Sequence, residues 1–365
     1  MTSHRHDRIP QKEFEAGSWD ERRPVLRARA PLRISYAGGG TDVAPFTHRE
    51  GGAVLSSTIA AYSYCTLRPR TDGQVTVKSL DFGSTVGFGI DDEVEFDGHL
   101  DLPKAVIRRL RDYQGSRASA GFDLFIHTNA PPGSGLGSSS AVMVAIIGVV
   151  AEYLGLDLTD YEVAELAFRL EREDLKIPGG AQDQYAAAFG GFNFIEFKGD
   201  DVVVNPLRIR DSTVHELEHN MLLAYTGKTR VSDHIIDDQV KRYETGDDKA
   251  IEGLRAQKLL AEEMKHALVR GQVDTLGHLL NDAWQQKRKM SDRIATPLID
   301  EAIDVALKNG ALGGKVTGAG GGGHLIFICE FERRHLVADR LSEMGLKVSE
   351  FTFSGEGVVT WRGQS

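Results

Sequence analysis

Apolar residues along this chain recur with two kinds of spacing. Runs rich in β-branched and aromatic residues occupy 29–36, 53–68, 74–80, 121–127 and 189–197, and these are predicted strands. Three- and four-residue spacing marks 102–113 and 160–175 as amphipathic helices, the second with Val163, Leu166, Ala167 and Leu170 on one face. Residues 141–154 are apolar almost throughout, as a buried helix must be. A second half starts near Asn205-Pro206. Its strand candidates are 221–225, 313–316, 324–329 and 347–353, a largely helical pattern fills 232–307, and 331–344 reads as one more helix. Strands and helices mix without regular β-α alternation and without an internal repeat, which predicts an α+β fold. Residues 1–24 are polar and mixed in charge, offer too little apolar surface to fold alone, and are expected to form a mobile N-terminal arm.

The length of 365 residues predicts two domains, placed at 25–205 and 206–365. Charged residues make up 26% and hydrophobic ones 41%, the balance of a soluble globular protein. A net charge of −10 leaves no basic excess to meet a nucleic-acid backbone, so no nucleic-acid partner is expected and an anionic substrate would need local basic pockets. Cys65 and Cys329 stand far apart without metal-ligand spacing, which predicts buried thiols in a reducing, cytoplasmic setting. The longest strongly apolar run, 141–151, is too short for a bilayer, and no charged start followed by an apolar core marks a signal peptide. No membrane partner is expected.

The most informative stretch is Pro131-Pro132-Gly133-Ser134-Gly135-Leu136-Gly137-Ser138-Ser139-Ser140, which runs straight into the apolar helix. Glycines let a backbone turn tightly and approach a ligand. Free N–H groups at a helix start favour anions, above all phosphate. Residues 132–140 are therefore read as a phosphate cradle. One of its serines is expected to cap the helix, and Ser139 can give its hydroxyl to magnesium beside a bound triphosphate.

Three further constellations surround this loop. Arg33 lies on a predicted strand that runs into Gly38-Gly39-Gly40-Thr41-Asp42. Its fork of donors suits a phosphate or carboxylate, and Asp42 suits sugar hydroxyls; a turn with a capping Asp and a surface Arg is the alternative. Glu171 and Asp183 flank Gly179-Gly180-Ala181-Gln182, and two carboxylates near phosphate suit one metal ligand and one proton acceptor. The run Glu171-Arg172-Glu173-Asp174 could equally be a solvated helix face, and Glu173 and Asp174 are read that way. Gly318, Gly320 and Gly323 formally match a dinucleotide fingerprint, but a strand follows where a helix is needed. A glycine hinge closing on substrate at Gly320 and Gly321 is expected there. Tyr225-Thr226-Gly227-Lys228-Thr229 echoes a P-loop but has Leu222 where that motif needs glycine. Lys228 and Arg230 stay as candidates for a second phosphate on the substrate, with a surface pair as the alternative. Asp81-Phe82-Gly83 lacks the catalytic-loop pattern that would make it a protein-kinase element.

The first three motifs, taken in order over residues 29–357, resemble the GHMP small-molecule kinase superfamily. The resemblance implies an N-terminal nucleotide-binding domain like ribosomal protein S5 domain 2 and a ferredoxin-like C-terminal domain. It implies ATP and Mg²⁺ as cofactors, with Pro132, Gly133, Ser134, Gly135, Leu136, Gly137, Ser138, Ser139 and Ser140 around the nucleotide. By the same resemblance Asp183 is the catalytic aspartate facing a sugar hydroxyl, and Arg33 stands near the transferred phosphoryl group. Ser139 and Glu171 are magnesium ligands, and Asp42 binds sugar beside Gly39, Gly40 and Thr41. Galactokinases carry Glu-His where this chain has Gly39-Gly40, which leaves room for a bulkier sugar. Residues 31–42, 171–180, 190–194 and 225–230 resemble a heptose-phosphate branch, implying phosphorylation of the anomeric hydroxyl of a heptose 7-phosphate. A small-molecule sugar phosphate is thus the expected partner, and a homodimer is left open. Rival readings are a fucokinase- or galactokinase-type sugar-1-kinase and a non-catalytic sugar sensor; a mevalonate diphosphate-type decarboxylase has no use for Asp42.

Overall fold

Strand β1 (Val25–Ala37) is the spine of the molecule, buried at every position except Arg27 and Arg29. The structure is a computed structural model and describes residues 19–20, 23–111, 121–131, 133–228 and 233–363. After β1 come α1 (Phe46–Arg49), β2 (Gly52–Pro69), β3 (Gln74–Ser79), β4 (Ser84–Gly89), α2 (Asp101–Arg111) and β5 (Gly121–Thr128). They are followed by α3 (Ser138–Leu154), α4 (Asp160–Arg169), α5 (Gln182–Phe189), β6 (Phe192–Lys198) and β7 (Asp201–Pro206). Then follow α6 (Asp211–Asn220), β8 (Met221–Tyr225), α7 (Asp233–Glu244), α8 (Asp248–Val269), α9 (Val273–Met290) and α10 (Pro297–Lys308). The chain closes with β9 (Ala311–Val316), β10 (His324–Cys329), α11 (Arg334–Glu343), β11 (Lys347–Ser349) and β12 (Val359–Gly363).

The α+β expectation holds. Eight strands form one sheet in the order β12-β1-β2-β5-β3-β4, with β6 on β2 and β7 on β6. Four form a second, antiparallel sheet in the order β11-β8-β10-β9. β2 serves two neighbours on one edge: its first part pairs with β6 and its second with β5. Residues 352–354 bridge the gap between them, where Ala60 N donates to Thr352 O and Ser354 N to Thr58 O. The last strand returns to the first sheet, pairing Val25 with Gly363 through Arg29 with Val359. Of the expected N-terminal arm, Trp19 is docked rather than free. Its indole donates to Asp123 Oδ2 at 2.7 Å and stacks under the Arg68 guanidinium. Residues 1–18, 21 and 22 lie outside the described residues.

Two sequence expectations need correction. None of the three serines caps α3: the N-cap is Gly137, left-handed at φ 71°, which no side chain assists. The strand expected from residue 189 begins only at Phe192, because residues 182–189 form the helix α5. Gly190 and Gly191, both at positive φ, end the helix and reset the chain direction. α3 itself is apolar on all faces and buried between β1, β2 and its neighbours, as its composition demanded. Among the described residues no helix is long and apolar enough to cross a membrane.

The second sheet and its helices are tied to the end of β1. Lys315 of β9 is buried and donates to Ser35 O at 2.8 Å and Val316 O at 2.7 Å. Ser35 N donates to Thr317 Oγ1, and Gly38 N to Gln257 Oε1 of α8. These ties set the walls of the cleft in which the candidate site lies.

Candidate active site

A cavity of about 470 Å³ lies where the end of β1, the start of α3, the start of α5 and the end of α9 meet. Register shifts between Pro31 and Leu32 and between Ser35 and Ala37 bracket Arg33 on β1. Such irregularities re-aim side chains beside active sites. Arg33 is only 5% exposed. Its Nε and Nη2 donate to Asp183 Oδ1 and Oδ2 at 2.8 and 2.9 Å, and its Nη1 to Gly135 O at 2.6 Å. One guanidinium thus joins the expected catalytic carboxylate to the expected phosphate loop. Asp183 sits in the first turn of α5, where the helix dipole favours a negative charge.

Glu171 lies in a single π turn at residues 170–174, closed by Leu175 N to Leu170 O at 3.0 Å. π turns frequently mark functional sites, because the extra residue re-aims a side chain. Ser140 Oγ donates to Glu171 Oε2 at 2.8 Å and Ser139 Oγ to Oε1 at 3.4 Å, while Gln184 Nε2 also donates to Oε2. Burial pushes the Glu171 carboxyl above the usual carboxylate range, opposed by Arg172 and by these donors. Hydroxyl and carboxylate oxygens are the hard ligands that magnesium takes beside phosphate, so Ser139 and Glu171 fit that metal. Among the described residues no cluster of three or more acidic, His or Cys side chains forms a metal cage. A site shared with phosphate oxygens and water needs none.

Asp42 lines the same cavity. Its Oδ1 accepts from Gly40 N at 2.9 Å, and its Oδ2 accepts from Gln182 N at 3.1 Å and Gln182 Nε2 at 3.2 Å. Gly180 makes room for it, since a Cβ there would stand 1.9 Å from Asp42 Oδ2. Arg172 fixes that glycine turn by donating to Ile177 O at 3.0 Å and Gly180 O at 2.9 Å.

The cavity therefore gathers Arg33, Gly39, Gly40, Asp42, Glu171 and Asp183. From the loop it adds Gly133, Gly135, Gly137, Ser138, Ser139 and Ser140. Other expected members lie elsewhere. Thr41 is fully buried, its hydroxyl donating to Gly38 O at 2.7 Å and accepting from Ala53 N at 3.1 Å, so it holds the turn. Ser134 and Leu136 are buried behind the loop, where Ser134 O accepts from His324 N and Nδ1 and Leu136 O from Arg33 N. Gly320 and Gly321 pack on Ile294 and do not line the cavity. From that glycine run, Gly318 meets the loop, and a Cβ on it would stand 2.6 Å from Gly135 Cα. Lys228 is exposed and outside the cavity; Pro132 and Arg230 lie outside the described residues.

Sequence reasoning missed Gln182, Gln239 and Lys287, all of which line the cavity. Lys287 carried a readable signal. It falls on the buried stripe of α9 formed by Leu276, Leu280, Ala283, Trp284 and Met290, where a charge is out of place.

The family profile described as GHMP kinases N terminal domain matches residues 101–191, and that described as GHMP kinases C terminal matches 264–347. D-glycero-alpha-D-manno-heptose 7-phosphate kinase of Campylobacter jejuni is 39% identical over 340 residues, covering 93% of this chain and 99% of that protein. L-fucokinase/L-fucose-1-P guanylyltransferase of Bacteroides fragilis is 26% identical, covering 91% of this chain and 38% of that protein. The crystal structure of a D-glycero-D-manno-heptose 1-phosphate kinase from Bacteriodes thetaiotaomicron matches with TM-score 0.78 at 36% identity, covering 93% of this chain and 100% of that one.

Proposed function

The chain belongs to the GHMP kinases and is an ATP-dependent sugar kinase, and from that premise we propose that its acceptor is D-glycero-α-D-manno-heptose 7-phosphate, phosphorylated on the anomeric hydroxyl to the 1,7-bisphosphate. The observation that carries the reading is the shared cavity: the Arg33–Asp183 pair and the Ser139–Glu171 pair both line it. The 39% identical relative is named for heptose 7-phosphate. The structural relative's name puts the existing phosphate on carbon 1, so the position has to be read from the product.

Phosphoryl transfer asks a protein mainly for positioning and electrostatic help. The backbone N–H groups of the glycine loop and the start of α3 suit the β- and γ-phosphates. Mg²⁺ held by Ser139 and Glu171 would offset their charge. Asp183, locked by the arginine fork, accepts the hydrogen bond of the attacking hydroxyl and orients it. Arg33 stays within reach of the charge that develops on the transferred group. Asp42 and Gln182 supply an acceptor and a donor for the remaining hydroxyls.

The test is ADP release from ATP and Mg²⁺ across heptose 7-phosphate, heptose 1-phosphate, unphosphorylated heptose, L-fucose and galactose. The 7-phosphate should turn over fastest, and the product's anomeric proton should show coupling to phosphorus by NMR. Turnover confined to heptose 1-phosphate or to unphosphorylated sugars would overturn the assignment.

A further inference from the structure

Among the described residues, one cation of the cavity has no hydrogen-bond or ion-pair partner. Arg33 is bound to Asp183 and Gly135 O, Arg172 to the carbonyls of Ile177 and Gly180, and the nearby buried Lys315 to those of Ser35 and Val316. Lys287 is 4% exposed, lines the cavity, and has no hydrogen-bond or ion-pair partner among the described residues. A buried ammonium without a partner is costly. Lys315 shows how this fold offsets that cost when a lysine is structural: it is wrapped in carbonyl oxygens. Lys287 has no such carbonyl ligands among the described residues, although the Asp42 and Asp183 charges favour its charged form, and it occupies a helix position where leucine or methionine would pack.

The direction of its head group says what is missing. A Cβ placed on Gly39 would stand 3.7 Å from Lys287 Nζ and 3.4 Å from Gln182 Nε2. The Lys287 ammonium and the Gln182 amide nitrogen thus meet, together with the Ser35 hydroxyl 3.5 Å from that Cβ, in the space that the missing side chain of Gly39 leaves. An ammonium has three donors and no acceptor, so the absent group is an acceptor, and in a buried place an anionic one. The two nearest carboxylates are already engaged: Asp42 accepts from Gly40 and Gln182, and Asp183 accepts the Arg33 fork. Gly39, beside which the Lys287 head group lies, runs into Gly40 and Asp42 on the same cavity wall, the stretch read above as sugar-facing.

We infer that Lys287 receives the phosphate group that the acceptor sugar already carries. The inference rests on the sugar-phosphate reading above. It gives Lys287 the place that the exposed Lys228 had in the sequence reading. A compact ammonium suits a phosphate monoester, which offers three oxygens in any rotation.

The experiment compares wild type, Lys287→Met and Lys287→Arg with heptose 7-phosphate and with unphosphorylated heptose, and measures ADP affinity by calorimetry to confirm an intact nucleotide side. The expected result is a roughly tenfold to hundredfold loss, in Lys287→Met, of the preference for the phosphorylated sugar, carried by KM. Lys287→Arg should recover part of it. A wild type without that preference would fail the substrate reading and this inference together. A wild type that has the preference beside a Lys287→Met protein that keeps it would overturn the role of Lys287 alone. An equal loss on both sugars would also overturn it, by placing the lysine at the transferred group. Should the methionine variant not fold, Lys287→Gln removes the charge while keeping a donor, and the same ratio decides.

Discussion

Arg33 grips Asp183 with two parallel hydrogen bonds, 2.8 and 2.9 Å long, and spends its remaining terminal nitrogen on the carbonyl of Gly135. The proposed catalytic carboxylate and the proposed phosphate loop are therefore joined by one side chain. Asp183→Asn keeps the shape and removes the charge. Its turnover should fall by roughly 10²–10⁴, the usual cost of losing a positioned acid–base group, while ADP affinity measured by calorimetry stays within a few-fold of wild type. Arg33→Lys cannot reproduce the fork and should lower kcat and raise the KM for ATP together.

Glu171 is held above its usual pKa by burial. Protonation at that carboxyl and binding of a divalent cation compete for the same oxygens. The Mg²⁺ concentration for half-maximal activity should therefore rise as pH falls from 8 toward 6 in wild type. Glu171→Gln should need more Mg²⁺ at every pH and lose much of this pH dependence. Titrations of activity with Mg²⁺ at the two ends of the range check both.

Features fixed by local spacing were legible in the sequence; those fixed by distant partners were not. Gly133, Gly135, Gly137 and the serines after them announce themselves because turn, close approach and helix start are all local properties. Asp42 and Asp183 stood out as acids close to glycines, whereas Glu171 lay in a charge run and was singled out as a metal ligand by the family resemblance. The short helix α5 escaped because residues 185–189 are apolar without a break, so spacing cannot separate helix from strand. Thr41 looked like a ligand-facing hydroxyl, and only the neighbouring Ala53 of β2 shows that the turn itself uses it. The return of β12 to β1 depends on a partner at the opposite end of the chain. Lys287 was visible as a charge on an apolar stripe, but its meaning needed Gly39 and Gln182 beside it.

Gly318 and Gly135 touch backbone to backbone. A methyl group at 318 would stand 2.6 Å from Gly135 Cα, with no flexible side chain to move aside. Gly318→Ala should push the phosphate loop out of register and weaken ADP binding. Gly355→Ala, where a Cβ would meet nothing within 4 Å, should leave ADP binding unchanged. Calorimetric ADP titration of the two variants isolates the loop contact from any general effect of losing a glycine.

Lys287 also predicts how stability depends on pH. Burial lowers its pKa from 10.5 to about 8 in the folded protein. An unfolded chain keeps the proton up to about 10.4. Between these values the unfolded state binds more protons, so stability rises with pH across that window. Below about pH 8 the folded protein carries the buried charge, and Lys287→Met, which has none, should be the more stable protein. The difference between the two should shrink by up to about 3 kcal/mol on going from pH 7.5 to 10.5. Asp42, Arg33 and Asp183, the charged groups that act on the Lys287 ammonium, are present in both proteins. Urea unfolding of the pair at several pH values measures it. A difference that stays constant across the window would show that Lys287 is not buried as a charge in the folded protein.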